Sequence, residues 1–94
     1  MDCMQVRVEF LGLARHRAGR SDLELVLEGP RTSLARVLRE LTQRLPALGQ
    51  DLLAGDNLSA HWTVCLDGAR FVRDPATPIG DGACLWLMSA DAGG

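Results

Sequence analysis

The sequence predicts an α+β domain in which one mixed sheet of four to five strands carries a single main helix on one face. Three observations predict it. Several short stretches alternate apolar and polar residues with the period of two that marks a half-buried strand. Only one stretch, Thr32 to Leu45, repeats its apolar residues at helical spacing. A chain of 94 residues buries one modest core, so residues 1–94 make a single domain.

From Met4 to Leu11, Met4, Val6, Val8 and Phe10 alternate with Gln5, Arg7 and Glu9, which gives the first strand. Gly12 to Gly19 breaks the pattern with two glycines and a basic stretch, and reads as a solvated loop. Leu23, Leu25 and Leu27 then alternate with acidic neighbours in a second strand, antiparallel to the first and ended by Gly29-Pro30. In the helix, Leu34, Val37, Leu38, Leu41 and Leu45 form the core stripe. Thr32 or Ser33 caps its start and Pro46 stops it. Residues 47–60 lose all periodicity and read as a long connection with a short helical turn, pinned by Leu48, Leu52, Leu53 and Leu58.

A third strand is expected over His61 to Leu66, with Trp62, Val64 and Leu66 on one side and His61, Thr63 and Cys65 on the other. Asp67-Gly68 reads as a hairpin turn, because type I′ geometry needs φ > 0 at both central positions. A short strand, Ala69 to Val72, returns from it; Arg73 to Pro78 is loop and Gly80-Asp81-Gly82 a turn. The last strand, Ala83 to Met88, is almost wholly apolar, as a central strand is. The first and last strands are expected to be parallel neighbours at the centre of the sheet, with the helix as their crossover.

Composition excludes several functions. The hydrophobic fraction of 47% and charged fraction of 23% are those of an ordinary globular domain. A net charge of −2 with scattered arginines lacks the concentrated basic surface that nucleic acid requires. The densest basic group, Arg15, His16, Arg17 and Arg20, reads either as a solvated loop or as a contact for an acidic partner. No apolar run has the ~18 residues of a membrane span, and the start, Met1-Asp2-Cys3-Met4, has no signal-peptide pattern, so the expected location is the cytoplasm. Cys3, Cys65 and Cys84 are odd in number and widely spaced, which fits neither a disulfide framework nor a metal or redox site. His16 and His61 stand alone. No catalytic constellation is present, and Gly80-Asp81-Gly82 precedes no helix that could bind a phosphate.

Two features remain. If Leu85 and Leu87 face the helix, then Cys84, Trp86 and Met88 face away beside Thr63 and Cys65. That leaves an apolar patch of the kind that marks an interface, unless residues 47–60 fold over it. After Met88 the chain runs through Ser89-Ala90-Asp91-Ala92 to Gly93-Gly94. Read structurally, this is a frayed terminus. Read functionally, residues 89–94 are a flexible tail whose side-chain-free glycines can thread a narrow channel and present the Gly94 carboxylate.

The order of elements together with this ending resembles the MoaD/ThiS sulfur carriers, which have the ubiquitin-like β-grasp fold. The resemblance spans the whole chain. It is strongest from Ile79 to Gly94, similar to the family's closing pattern of an Asp-Gly turn, an apolar strand, Pro-Pro-Val-Ala and Gly-Gly. It extends to Val8-Glu9-Phe10-Leu11-Gly12-Leu13-Ala14-Arg15, to the Thr32–Leu45 helix with Pro46-Ala47-Leu48 after it, and to Val64-Cys65-Leu66-Asp67-Gly68. The sequence departs from the family at Ser89-Ala90, where two prolines are usual, and at Asp91.

The resemblance implies a carrier and not an enzyme in its own right, with no permanently bound cofactor. Its Gly94 carboxylate would be adenylated by an E1-like adenylyltransferase using ATP and then converted by a persulfide donor to a thiocarboxylate. The thiocarboxylate would pass sulfur to a downstream synthase subunit, with molybdopterin synthesis the favoured pathway. A carrier for cysteine, thiamin or a thio-metabolite, and a module that binds non-covalently or is conjugated to lysines, are the alternatives. On this reading Gly93 and Gly94 carry the chemistry, Ala92 belongs to the segment the partner reads, and Trp86, Met88, Cys65 and Thr63 form the docking patch.

Overall fold

The structure, a computed structural model, describes residues 2–90. The expected tail residues Asp91, Ala92, Gly93 and Gly94 lie outside the described residues. The elements in order are β1 (Cys3–Phe10), α1 (Leu13–Ala18), β2 (Asp22–Glu28), β3 (Arg31–Ser33), α2 (Leu34–Arg44), α3 (Pro46–Gly49), β4 (Leu53–Ala54), β5 (Asn57–Leu58), β6 (Trp62–Leu66), β7 (Arg70–Val72), β8 (Pro78–Gly80) and β9 (Cys84–Ser89).

Five strands form the main sheet in the order β2-β1-β9-β6-β7. As expected, β1 and β9 are parallel neighbours, with Val8 opposite Leu85 and Phe10 opposite Leu87, and every other pairing in this sheet is antiparallel. Alternation along each strand produces the core. Met4, Val6, Val8 and Phe10 of β1, and Leu85 and Leu87 of β9, are at most 1% exposed. They meet Leu34, Val37, Leu38 and Leu41 of α2 in one continuous cluster. Each large aliphatic side chain so buried contributes about 1.5–3 kcal/mol relative to exposure.

The helix starts where the sequence places a cap: Ser33 is extended, and its Oγ accepts from Arg36 N at 3.3 Å. Residues 47–60 do contain the expected helical turn, α3, and Leu48, Leu52 and Leu58 are buried in the cluster that α2 joins. The connection therefore covers the helix side of the sheet and leaves the opposite face open.

Two Asp-Gly turns lock the start of β9. Asp67 and Gly68 have φ of 55° and 66°, the left-handed pair that the sequence predicts. Asp67 N donates to Cys84 O at 2.7 Å, while Asp67 Oδ1 accepts from Cys84 N at 2.9 Å. Asp81 Oδ1 accepts from Gln5 N at 2.7 Å.

Several elements differ from expectation. The Gly12–Gly19 stretch is the helix α1, bounded by Gly12 at φ 57° and by Gly19 at φ 72°, with Ala14 buried. Six residues are too few for a helical period to show. Pro78–Gly80, read as loop and turn, pairs with Arg31–Ser33, and Leu53–Ala54 pairs with Asn57–Leu58. The sheet also continues past Met88: Ser89 pairs with Trp62, and Ala90 N donates to His61 O at 2.8 Å.

Candidate docking face and tail root

The open face of the sheet is built around β9. Its inward residues, Leu85 and Leu87, are buried, so Cys84, Trp86 and Met88 project from the other side, as the alternation predicts. The register sets Glu9, Trp86, Cys65 and Phe71 in one row across four strands, with Thr63 opposite Met88 in the next row. Trp86 is 37% exposed and Phe71 67%.

The indole of Trp86 is held at both ends. Its Nε1 donates to Glu9 Oε2 at 2.8 Å, and its ring lies against Gly68, where a Cβ would come within 3.2 Å. Glycine at 68 thus serves both the positive φ and this close approach. Charged groups rim the aromatic residues, including the Arg7–Asp22 ion pair. An aromatic centre with a polar rim is the composition of a protein-binding surface.

Of the residues assigned to the patch from sequence, Trp86, Met88 and Thr63 are together on this face. Cys65 shares the face but is buried, 6% exposed, because Trp86 and Phe71 flank it on the neighbouring strands. Its thiol therefore lies beneath the patch and does not present itself to a partner. Phe71 and Glu9 are the residues sequence reasoning missed. Alternation in the strand returning from Asp67-Gly68 could have placed Phe71 opposite Cys65. Gly93, Gly94 and Ala92 lie outside the described residues.

Cys84 Sγ approaches the same Glu9 Oε2 at 3.4 Å. Burial first, and then the hydrogen bond and charge of Glu9, push the Cys84 thiol above the ordinary thiol range, so it stays protonated and is a poor nucleophile. Cys3 is exposed.

Where the chain leaves the sheet, β6 is clamped. Arg73 Nη1 donates to Trp62 O at 2.7 Å and its Nη2 to the carbonyls of Leu58 and Ser59, each at 3.0 Å. Such charge-assisted bonds are stronger than neutral ones. Trp62 and His61, which hold Ser89 and Ala90, are thereby fixed.

Among the described residues no helix is long and apolar enough to cross a membrane, and no three His, Cys, Asp or Glu residues are placed to hold a metal ion. No protein-family model and no curated protein matches the chain. Solved structures do. The Haloferax volcanii HVO 2177 protein is 22% identical with a TM-score of 0.81, over 98% of this chain and 88% of that one. Small archaeal modifier protein 1 from the same organism is 19% identical with a TM-score of 0.80, over 96% and 99%. A Pyrococcus furiosus protein described as molybdopterin converting factor, subunit 1, is 17% identical with a TM-score of 0.74, over 92% and 97%.

The fold is the ubiquitin-like β-grasp. Within it, this β-grasp domain places an open aromatic face and the exit of its last strand side by side.

Proposed function

We propose that this β-grasp domain is a sulfur carrier whose Gly94 carboxyl group is activated and converted to a thiocarboxylate, with molybdopterin synthesis as the receiving pathway. The observation that carries it is the placement of β9. The central strand projects Trp86 and Met88 from the open face and delivers the chain at Ala90, four residues before Gly94. A partner that grips the patch has the following segment beside its own reaction centre. Four residues span at most roughly 14 Å, so the two sites on the partner must be close.

The chemistry asks for no catalytic group from the domain. The Gly94 carboxylate attacks the α-phosphate of ATP and pyrophosphate leaves. The terminal sulfur of a persulfide attacks the acyl-adenylate and AMP leaves. A thiol then cleaves the S–S bond of the acyl persulfide, which leaves –COS⁻ on Gly94 and a disulfide on the donor. An E1-like adenylyltransferase, a persulfide donor and a downstream synthase subunit supply these steps, and ATP is bound by the partner. Among the described residues of the open face, Cys84 is held protonated and Cys65 is buried.

A second reading, a protein modifier, is favoured by the likeness to a small archaeal modifier protein. All ten basic residues are arginines and the chain has no lysine. In a modifier of this composition, no lysine side chain on one copy can accept the next. One experiment separates the readings. The domain is incubated with an E1-like enzyme, ATP and a persulfide donor and weighed intact. The exchange of one oxygen for one sulfur supports the carrier; no exchange, with amide-linked adducts on other proteins, supports the modifier.

A further inference from the structure

A cavity of about 280 Å³ opens beside the point where the chain leaves the sheet, lined by Leu13, Arg17, Asp51, His61, Trp62 and Ala90 among others. Its polar walls are unusual. Arg17 of α1 reaches Asp51 through Nη1 alone, at 2.9 and 2.8 Å to the two carboxylate oxygens. Its Nε and Nη2 groups have no partner among the described residues. The guanidinium carbon stands 5.5 Å from the centre of the Trp62 ring. Trp62 is 1% exposed, yet its Nε1 has no hydrogen-bond partner. The indole N–H is close enough to Asp51 to help Arg17 hold that carboxyl below its ordinary range, but lacks the geometry of a bond. A buried N–H left so costs free energy unless an acceptor arrives.

Arg17, with donors to spare, and Trp62, with an unsatisfied indole N–H, both line this cavity, which is the size of a side chain. Arg17 is the cation that lines this cavity, beside Asp51, while Arg15, His16 and Arg20 line a separate cavity. We propose that this cavity is a receptor for one carboxylate side chain of the enzyme that takes the tail, which pairs with Arg17 and accepts from Trp62 Nε1. The proposal rests on the carrier or modifier reading for its partner, but not for the site itself. With the carboxylate seated, the partner holds both sides of the strand exit: the aromatic face on one, the cavity on the other.

The test uses acetate as the probe and the indole N–H signal of Trp62 as the readout, in the full chain at constant ionic strength set with chloride. Two tryptophans make the assignment simple, since Trp86→Phe removes the other signal. A saturable shift of the Trp62 signal is expected with acetate, and Arg17→Gln should weaken it about tenfold, as loss of a charge-assisted pair does. No movement of the Trp62 signal in either the wild-type chain or Asp91→Asn overturns the site, whether or not the Arg17 variant folds. A response to inorganic phosphate but not acetate overturns the carboxylate assignment. A shift that appears only in Asp91→Asn means that the chain's own carboxylate fills the cavity, and overturns the partner. None of these outcomes depends on whether Gly94 is thiocarboxylated, so the two readings fail separately.

Discussion

Trp86 Nε1 donates to Glu9 Oε2 across the parallel pair of β1 and β9, and that one bond orients the largest side chain of the open face. An aromatic residue held in place before binding loses less freedom when a partner arrives, which is what makes a good anchor. Trp86→Ala should therefore weaken binding to an activating enzyme by about 2 kcal/mol with the fold retained. Leu87→Ala, one residue along and facing the core, should instead cost about 2–5 kcal/mol of stability. Calorimetry of binding and denaturant unfolding on both variants checks the contrast. If Trp86→Ala unfolds the domain, the face is core.

The same Glu9 oxygen holds the proton on Cys84. At mildly alkaline pH an alkylating agent should label exposed Cys3 first and Cys84 slowly, because a thiol pushed above its ordinary range has less thiolate. Glu9→Gln removes a negative charge and should speed labelling of Cys84. The recovery is partial, since burial is the larger cause. Peptide mapping by mass spectrometry over time gives both rates.

Gly68→Ala meets two obstacles at once, a φ of +66° and the Trp86 ring 3.2 Å from the new methyl group. A loss of about 1–2 kcal/mol is expected from the backbone. The indole must also shift away from the turn, and its fluorescence should change. An unaltered spectrum would mean that the ring does not rest there.

Deleting Gly94 should abolish adenylation, followed as pyrophosphate release, while leaving affinity for the activating enzyme nearly intact. A glycine buries little area, and on the proposed reading the open face of the domain supplies recognition. Unchanged pyrophosphate release on the truncated chain would end the carrier reading.

What could be read in the sequence depended on how long each pattern ran. The eight residues of β1 and the eleven of α2 repeat their periods often enough to be recognised, and the outward facing of Trp86 and Met88 followed from alternation alone. The helix α1 and the β3–β8 pair are too short for any period, and form because distant backbone completes them. The Arg17–Asp51 contact joins residues 34 apart and left no local trace. Cys65 was placed on the correct face, but its burial depends on the bulk of Trp86 and Phe71 in neighbouring strands.

The pairing of β1 with β9 has a consequence for how the molecule comes into being. Glu9 and Trp86 are 77 residues apart, so the middle of the sheet is the most non-local part of the chain, and loops of that length close late in folding. The hairpin of β6 and β7 and the helix α2 can form earlier from local contacts, but neither has a complete floor to pack on until β9 slots between β1 and β6. The aromatic face, the cavity beside Trp62 and the exit at Ala90 all appear in that same final step. On the proposed carrier reading, a partner that needs them together would accept only finished molecules, and would spend no ATP on unfolded chains.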